Sequence, residues 1–247
     1  MPKTTKAGRV NIQDLMKLVN KKAGRTVAYD LTGDNPTEVK DWIPTGSRWL
    51  DSIICKGKMA GIPVGKITEI AGLEATGKSY MAAQIAANAQ KQGKIVAYFD
   101  SESSLDPQFL IDAGCDLQKL IYVQASSVEF VLETIEDLLA ASQEQMVFIW
   151  DSLAFTPAIS DVEGDFNPQS SMAMKARILA KGMSKLTLPI ADAKAAFIVL
   201  NQLKTNITQG PMARITAMTT PYITPGGKAM HYAYSLRIWL TGRKAKS

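Results

Sequence analysis

Five short runs dominated by apolar residues, KITEIA, KIVAYFD, LIYVQA, MVFIWD and AAFIVLN, dictate what this chain can fold into. Strands that are apolar at nearly every position, rather than at every second one, need cover on both faces. The stretches between them read as helices near residues 78–92, 106–113, 128–142 and 171–193. Apolar strands joined by helices build a mostly parallel sheet with helices on either side, so the predicted class is doubly wound α/β. At 247 residues and 46% hydrophobic content the chain can bury one such core plus a small appendage. No run approaches the roughly 18 apolar residues of a membrane span, and the opening MPKTTKAGRVNIQD lacks the apolar centre of a secretory signal. A soluble, cytoplasmic protein without membrane partners is expected.

The chemistry begins where the first of these strands ends. GLEATGKS, comprising Gly72, Leu73, Glu74, Ala75, Thr76, Gly77, Lys78 and Ser79, satisfies the phosphate-loop pattern in full and lies between an apolar strand and a helix. Gly72 and Gly77 let the backbone curl so that successive N–H groups and the helix N-terminus face phosphates, where the helix dipole favours negative charge. Lys78 is then placed for the β- and γ-phosphates and the Ser79 hydroxyl for Mg2+. MVFIWDS sets Asp151 at the carboxyl end of a buried strand, a position that supports Mg2+; a helix cap is its structural alternative. KIVAYFD leads into SESSLDP, where Glu102 can take a proton from water attacking the γ-phosphate. On position alone Asp100 and Asp106 compete for that role. Cys55 and Cys115, 60 positions apart in a chain with one histidine, make neither a disulfide framework nor a zinc site. They read as buried small apolar residues, and His231 as a structural or interface residue.

Charge is distributed unevenly. The net charge is +5, yet residues 193–247 contain no Asp or Glu and carry Lys194, Lys204, Arg214, Lys228, Arg237, Arg243, Lys244 and Lys246. The first 25 residues are also basic, with Asp14 as their one acid. Basic ends around an acidic middle point to a polyanion partner. Within the acid-free part, residues 204–228 read as neither helix nor strand, and an unpatterned loop of that length inside a compact domain is usually functional. Upstream, Ile12, Leu15, Met16 and Val19 fall at i, i+3, i+4 and i+7 between a cap at Asn11 and Gly24. They predict one short amphipathic helix, followed by the strand-like TVAYDL and a polar linker. A helix this short is marginal alone in water, so it either folds back on the main domain or docks on another subunit.

The ordered set GKITEIAGLEATGKS, FDSESSLDP, FIWDSLAFTP and IVLNQLK resembles the ATPase core of the RecA family of strand-exchange recombinases, with a phage UvsX-like branch as one home for it. The resemblance runs from about Ile43 to Trp239. It implies a RecA-like P-loop core over residues 43–247, a helix-strand oligomerisation arm over 1–42, and ATP with Mg2+ as cofactors. It implies Glu102 as the base that activates water, Gln202 as the sensor linking the γ-phosphate to the loop beyond it, and Asp106 and Phe109 as neighbours of adenine, although Phe109 could equally be core. In the family the segment after the NQ strand binds single-stranded DNA, which assigns residues 203–227 and with them Lys204, Ile207, Arg214, Gly226 and Gly227. Its cations, apolar residues and prolines suit an ordering on unpaired nucleotides. A second segment, SDVEGDFNPQSSMAMKAR, resembles the family's other DNA loop and nominates Gly164, Met172 and Arg177. By the same carry-over Ile12, Leu15, Met16 and Val19, together with His231, Tyr232 and Arg237, belong to subunit interfaces. The family's further core strands, its nucleotide-contacting lysines and its C-terminal domain lie beyond Ser247, so the core is read as incomplete at that end.

The function expected from these features is an ATP-dependent recombinase that binds single-stranded DNA, then homologous duplex, as a head-to-tail helical filament, a closed ring being the other outcome of such contacts. A hexameric helicase with the same core, or a nucleotide-binding mediator that does not turn ATP over, are the alternatives. A small-molecule kinase leaves the acid-free loop unexplained.

Overall fold

The computed structural model describes residues 11–33, 38–57, 60–163, 168–206, 215 and 218–242. Two compact units divide the chain, one ending at Glu38 and the other beginning at Val39.

In the first unit, helix α1 (Ile12–Ala23) starts at Asn11, whose side chain accepts the Gln13 N–H, and stops at Gly24, with φ of 68°. Asp14 in the first turn and Lys21 and Lys22 in the last complement the helix dipole. None of its residues is buried. The TVAYDL segment forms no strand among the described residues, which corrects the expectation of one. Asn20 takes over backbone bonds that a neighbouring strand would supply. Its Oδ1 accepts the N–H groups of Val27 and Ala28, each at 2.7 Å, and its Nδ2 donates to the Ala28 carbonyl.

The second unit opens with a small ribbon, β1 (Trp42–Ile43) antiparallel to β2 (Ile62–Pro63), around helix α2 (Arg48–Ile54), which Ser47 caps. Six parallel strands follow: β3 (Ile67–Gly72), β4 (Ile95–Asp100), β5 (Leu120–Gln124), β6 (Met146–Asp151), β7 (Ala196–Gln202) and β10 (Leu236–Leu240), in the order β10-β3-β7-β6-β4-β5. The fold is α/β, with the mostly parallel, helix-flanked sheet that the sequence pattern implies. Alternate side chains divide between two cores. Phe148 and Trp150 face α5 (Val128–Ala141) and α7 (Pro168–Asp192), while Val147 and Ile149 face α3 (Lys78–Lys91). The Trp150 and Phe197 rings stack, centroids 6.3 Å apart. Four of the strands are buried throughout or nearly so, whereas outermost β5 exposes Ile121 and Tyr122.

Two segments read as loops contain regular structure among their described residues. The stem of the 203–227 loop is a ribbon of β8 (Lys204–Thr205) and β9 (Tyr222–Ile223), and its far end enters helix α8 (Gly227–Ala233). Gly226 and Gly227, at φ of 109° and 76°, make that helical entry. The second segment, residues 160–177, is helical at its described residues: α6 (Ile159–Glu163) covers its start, and α7 begins at Pro168, a residue whose fixed φ suits a first helical turn and which lies three residues ahead of the helix expected from 171.

Candidate nucleotide-binding site

Parallel strands deliver the candidate residues to one edge of the sheet. Gly72 at the end of β3 pairs with Gln202 at the end of β7, and Asp100 at the end of β4 pairs with Asp151 at the end of β6. Crevices beyond the carboxyl ends of such strands are where α/β folds hold ligands.

The phosphate loop is stabilised by its own atoms. Thr76 Oγ1 donates to the Leu73 carbonyl at 2.8 Å, and Lys78 Nζ donates to the carbonyls of Gly72 (3.3 Å) and Leu73 (2.8 Å). A Cβ on Gly72 would lie 2.4 Å from Thr76 Oγ1, so a side chain there would displace the hydroxyl that bonds the Leu73 carbonyl. Gly77, at φ of 88°, opens α3, while Glu74 and Ala75 are exposed at the tip. Burial holds the Lys78 ammonium below its ordinary pKa, opposed by the carboxylates of Asp151, Glu102 and Glu74.

Asp151 is raised in pKa by burial, against hydrogen bonds from Tyr98 and Ser79 that favour its charged form; Glu102 and Asp100 add to the rise. The Tyr98 hydroxyl, wholly buried, donates to Asp151 Oδ2 at 2.8 Å. A serine hydroxyl and a carboxylate beside a phosphate loop are hard oxygen donors of the kind Mg2+ takes in company with phosphates. The residues therefore fit Mg-nucleotide. Among the described residues no cluster of three His, Cys, Asp or Glu could hold a metal by protein ligands alone.

Glu102 is exposed, and its Oε1 accepts the hydroxyl of buried Ser152 at 3.0 Å. The two acids that compete with it by position are otherwise engaged. Asp100 accepts the N–H groups of Glu102 and Leu105 and the Tyr122 hydroxyl, and Asp106 caps α4 (Pro107–Asp112) through the Gln108 N–H. Phe109 on α4 packs half-buried against the α3 core, its ring 6.1 Å from that of Tyr80. Tyr80, 53% exposed in the first turn of α3, was not singled out from the sequence; an aromatic directly after the phosphate loop is the available signal. Tyr98 and Ser152 were likewise unassigned, because their roles depend on strand register.

Gln202 is half-buried, with its N–H bonded to Asn201 Oδ1 at 3.0 Å. Beyond it Lys204 is exposed on β8, and Arg177 is exposed on α7. The backbone of Met172 lies in α7, whereas Gly164, Ile207 and Arg214 lie outside the described residues. Tyr232 is 85% exposed and His231 also exposed, but Arg237 turns inward, its Nε 2.6 Å from buried Glu69 Oε2. Ile12, Leu15 and Val19 are exposed on α1 at 73%, 49% and 48%, and Met16 is half-buried.

A family model for the RecA N-terminal domain matches residues 10–246. Protein RecA of Thermus aquaticus is 34% identical over 230 residues, covering 93% of this chain and 64% of the relative. Protein RecA of Bifidobacterium breve is 36% identical over 220 residues, covering 89% and 53%. For Protein RecA of Fusobacterium nucleatum the figures are 34% over 238 residues, 95% and 59%. The chain thus spans less than two thirds of the length of each of these relatives.

Proposed function

Because the chain belongs to the RecA family, with a family match over residues 10–246, we propose that it is the core of an ATP-dependent, single-stranded-DNA-binding recombinase. It would assemble on one strand as a filament and pair it with homologous duplex in the bacterial or phage-infected cytoplasm. The observation that carries this reading is the convergence of Gly72, Asp100, Asp151 and Gln202 on one sheet edge, with Gln202 leading directly into β8 and the basic loop.

In this reading the backbone N–H groups from Leu73 to Ser79 bind the phosphates, and Lys78 exchanges its carbonyl partners for the β- and γ-phosphate oxygens. Ser79 and Asp151 would hold Mg2+, which when bound offsets charge on the transferring phosphoryl group. Ser152 orients Glu102, and Glu102 accepts the proton of the attacking water. Gln202 contacts the γ-phosphate and so ties the loop's order to the presence of triphosphate, a ligand-driven order change of a known kind. Asp106, Phe109 and Tyr80 border the position of the base. Lys204 and Arg214 would meet DNA phosphates while Ile207 and Met172 meet bases, with Arg177 and Gly164 contributing from the second segment.

Phosphate release measured with and without single-stranded DNA tests the reading. DNA-stimulated turnover is expected, together with a loss of both turnover and ATP-enhanced DNA affinity in Lys78→Ala. Turnover indifferent to DNA, or DNA affinity unaffected by added salt, overturns it, since phosphate neutralisation is salt-sensitive. Helical filaments are expected by electron microscopy with a non-hydrolysable ATP analogue; closed rings would mark a helicase.

A further inference from the structure

Glu69 stands in the middle of β3, three positions before Gly72, and is wholly buried. A buried carboxylate is costly unless it is paired and its lone pairs are bonded. Here Oε2 accepts Arg237 Nε at 2.6 Å and Oε1 accepts Asn201 Nδ2 at 3.0 Å. Neither partner serves Glu69 alone. Asn201 Nδ2 also donates to the Pro225 carbonyl at 3.0 Å, and Asn201 Oδ1 accepts the N–H of Gln202. Arg237 Nη2 donates to Thr224 Oγ1 at 3.2 Å, and Nη1 lies 3.2 Å from His231 Nδ1. The guanidinium is further fixed 5.8 Å from the Tyr234 ring centre and 5.6 Å from that of Trp239.

One carboxylate therefore joins three things: the strand that carries the phosphate loop, the strand that ends in Gln202, and the returning end of the 203–227 loop at Thr224 and Pro225. The departing end is fastened separately, by the Leu203 N–H to the Gly72 carbonyl at 3.0 Å. We propose that the buried Glu69–Arg237 pair, with Asn201, is the anchor through which nucleotide at the phosphate loop acts on the returning end of the loop, making Arg237, Asn201 and Thr224 positioning residues for DNA binding. This rests on the reading of residues 203–227 as a DNA loop. A guanidinium suits the task because its planar fork bonds Glu69, Thr224 and His231 from three nitrogens at once, which a lysine ammonium on the same backbone cannot reproduce.

Thr224→Val keeps side-chain shape and removes the acceptor of Arg237 Nη2, and Arg237→Lys retains charge without the fork. The quantity to measure is the ratio of single-stranded DNA affinities with and without a non-hydrolysable ATP analogue. Each variant is expected to lower that ratio about tenfold, within the usual span of coupling between sites, while Thr224→Val binds a fluorescent ATP analogue as tightly as wild type in the absence of DNA. A purely structural role would reduce thermal stability and leave the ratio alone. A wild-type ratio in Thr224→Val overturns the anchor, whether or not Arg237→Lys folds. Should the wild-type chain itself show no nucleotide-dependent gain, the DNA reading falls, and the anchor is judged by hydrogen exchange at residues 222–224. Nucleotide alone is expected to slow that exchange in wild type and not in the variants; an equal slowing in all three overturns it.

Discussion

Asp151 keeps a carboxylate where burial opposes charge, and that opposition has a sign that can be measured. Its pKa in the folded chain lies above the ordinary 3.8, so the charged form is favoured less in the folded chain than in the unfolded one. The contribution of this group to stability is then fullest at acid pH, where it is neutral in both states, and is lost as pH rises through the raised folded pKa. Asp151→Asn removes the charge while leaving an oxygen to accept the Tyr98 hydroxyl. Nucleotide-free Asp151→Asn is accordingly expected to melt about 2–4 °C higher than wild type at neutral pH, the shift that roughly 1 kcal/mol produces at this size, with turnover lost. The gain should shrink as pH falls toward the carboxyl pKa. A lower melting temperature at neutral pH would contradict the burial argument. The phosphate loop and the acids at strand ends were legible because each motif is local: eight consecutive residues specify the curl, and Asp151 closes a run of apolar ones. Tyr98 and Glu69 were not, although a charged residue inside KITEIA is a visible anomaly. Their partners, Asp151 and Arg237, are chosen by register across the sheet, and a single strand does not state its register.

Among the elements, long periodic ones were the most legible and two-residue ribbons the least. The five apolar runs became β3 to β7: four are buried along nearly their whole length, enough to fix a strand by themselves, and the fifth, β5, is half-exposed and is held by its register with β4. Strands β1, β2, β8 and β9 are two residues each, too short to show alternation. The β1–β2 ribbon depends instead on close backbone approach at Gly61. Its φ is 105°, and a Cβ there would fall 2.2 Å from the Ile43 carbonyl oxygen. Gly57 has a similar φ of 92° but nothing within 4 Å of the same position. Alanine at either site meets the backbone strain of a left-handed conformation, about 1–3 kcal/mol, and only at Gly61 must the neighbouring strand also move. Urea denaturation should therefore show a clearly larger loss for Gly61→Ala than for Gly57→Ala. Equal losses would mean that the ribbon yields freely and does not brace the start of the core.

At the scale of the whole molecule, two surfaces lack what their chemistry calls for. Helix α1 exposes Ile12, Leu15, Leu18 and Val19, at 73%, 49%, 64% and 48%, an apolar stripe with no buried residue beneath it. Outermost β5 offers a backbone edge unpaired among the described residues and flanked by exposed Leu117, Ile121, Tyr122 and Phe130, at 38%, 38%, 45% and 41%. An open edge with apolar neighbours is a template for strand addition, and natural proteins seldom leave one bare. If the first unit of one copy covers β5 of the next, the contact is head-to-tail and propagates as a filament unless it closes into a ring. A charge placed on either surface should then act in the same way. Leu15→Glu and Ile121→Lys are each expected to abolish the large species that the proposed filament predicts for the wild-type chain with ATP analogue and single-stranded DNA in sedimentation, while binding of ATP analogue persists. Their positions are exposed, so stability should change by no more than about 0.5 kcal/mol, which separates lost assembly from lost folding. Assembly surviving Ile121→Lys but not Leu15→Glu would move the acceptor away from β5, and survival of both would leave the apolar stripe on α1 without a role in polymerisation.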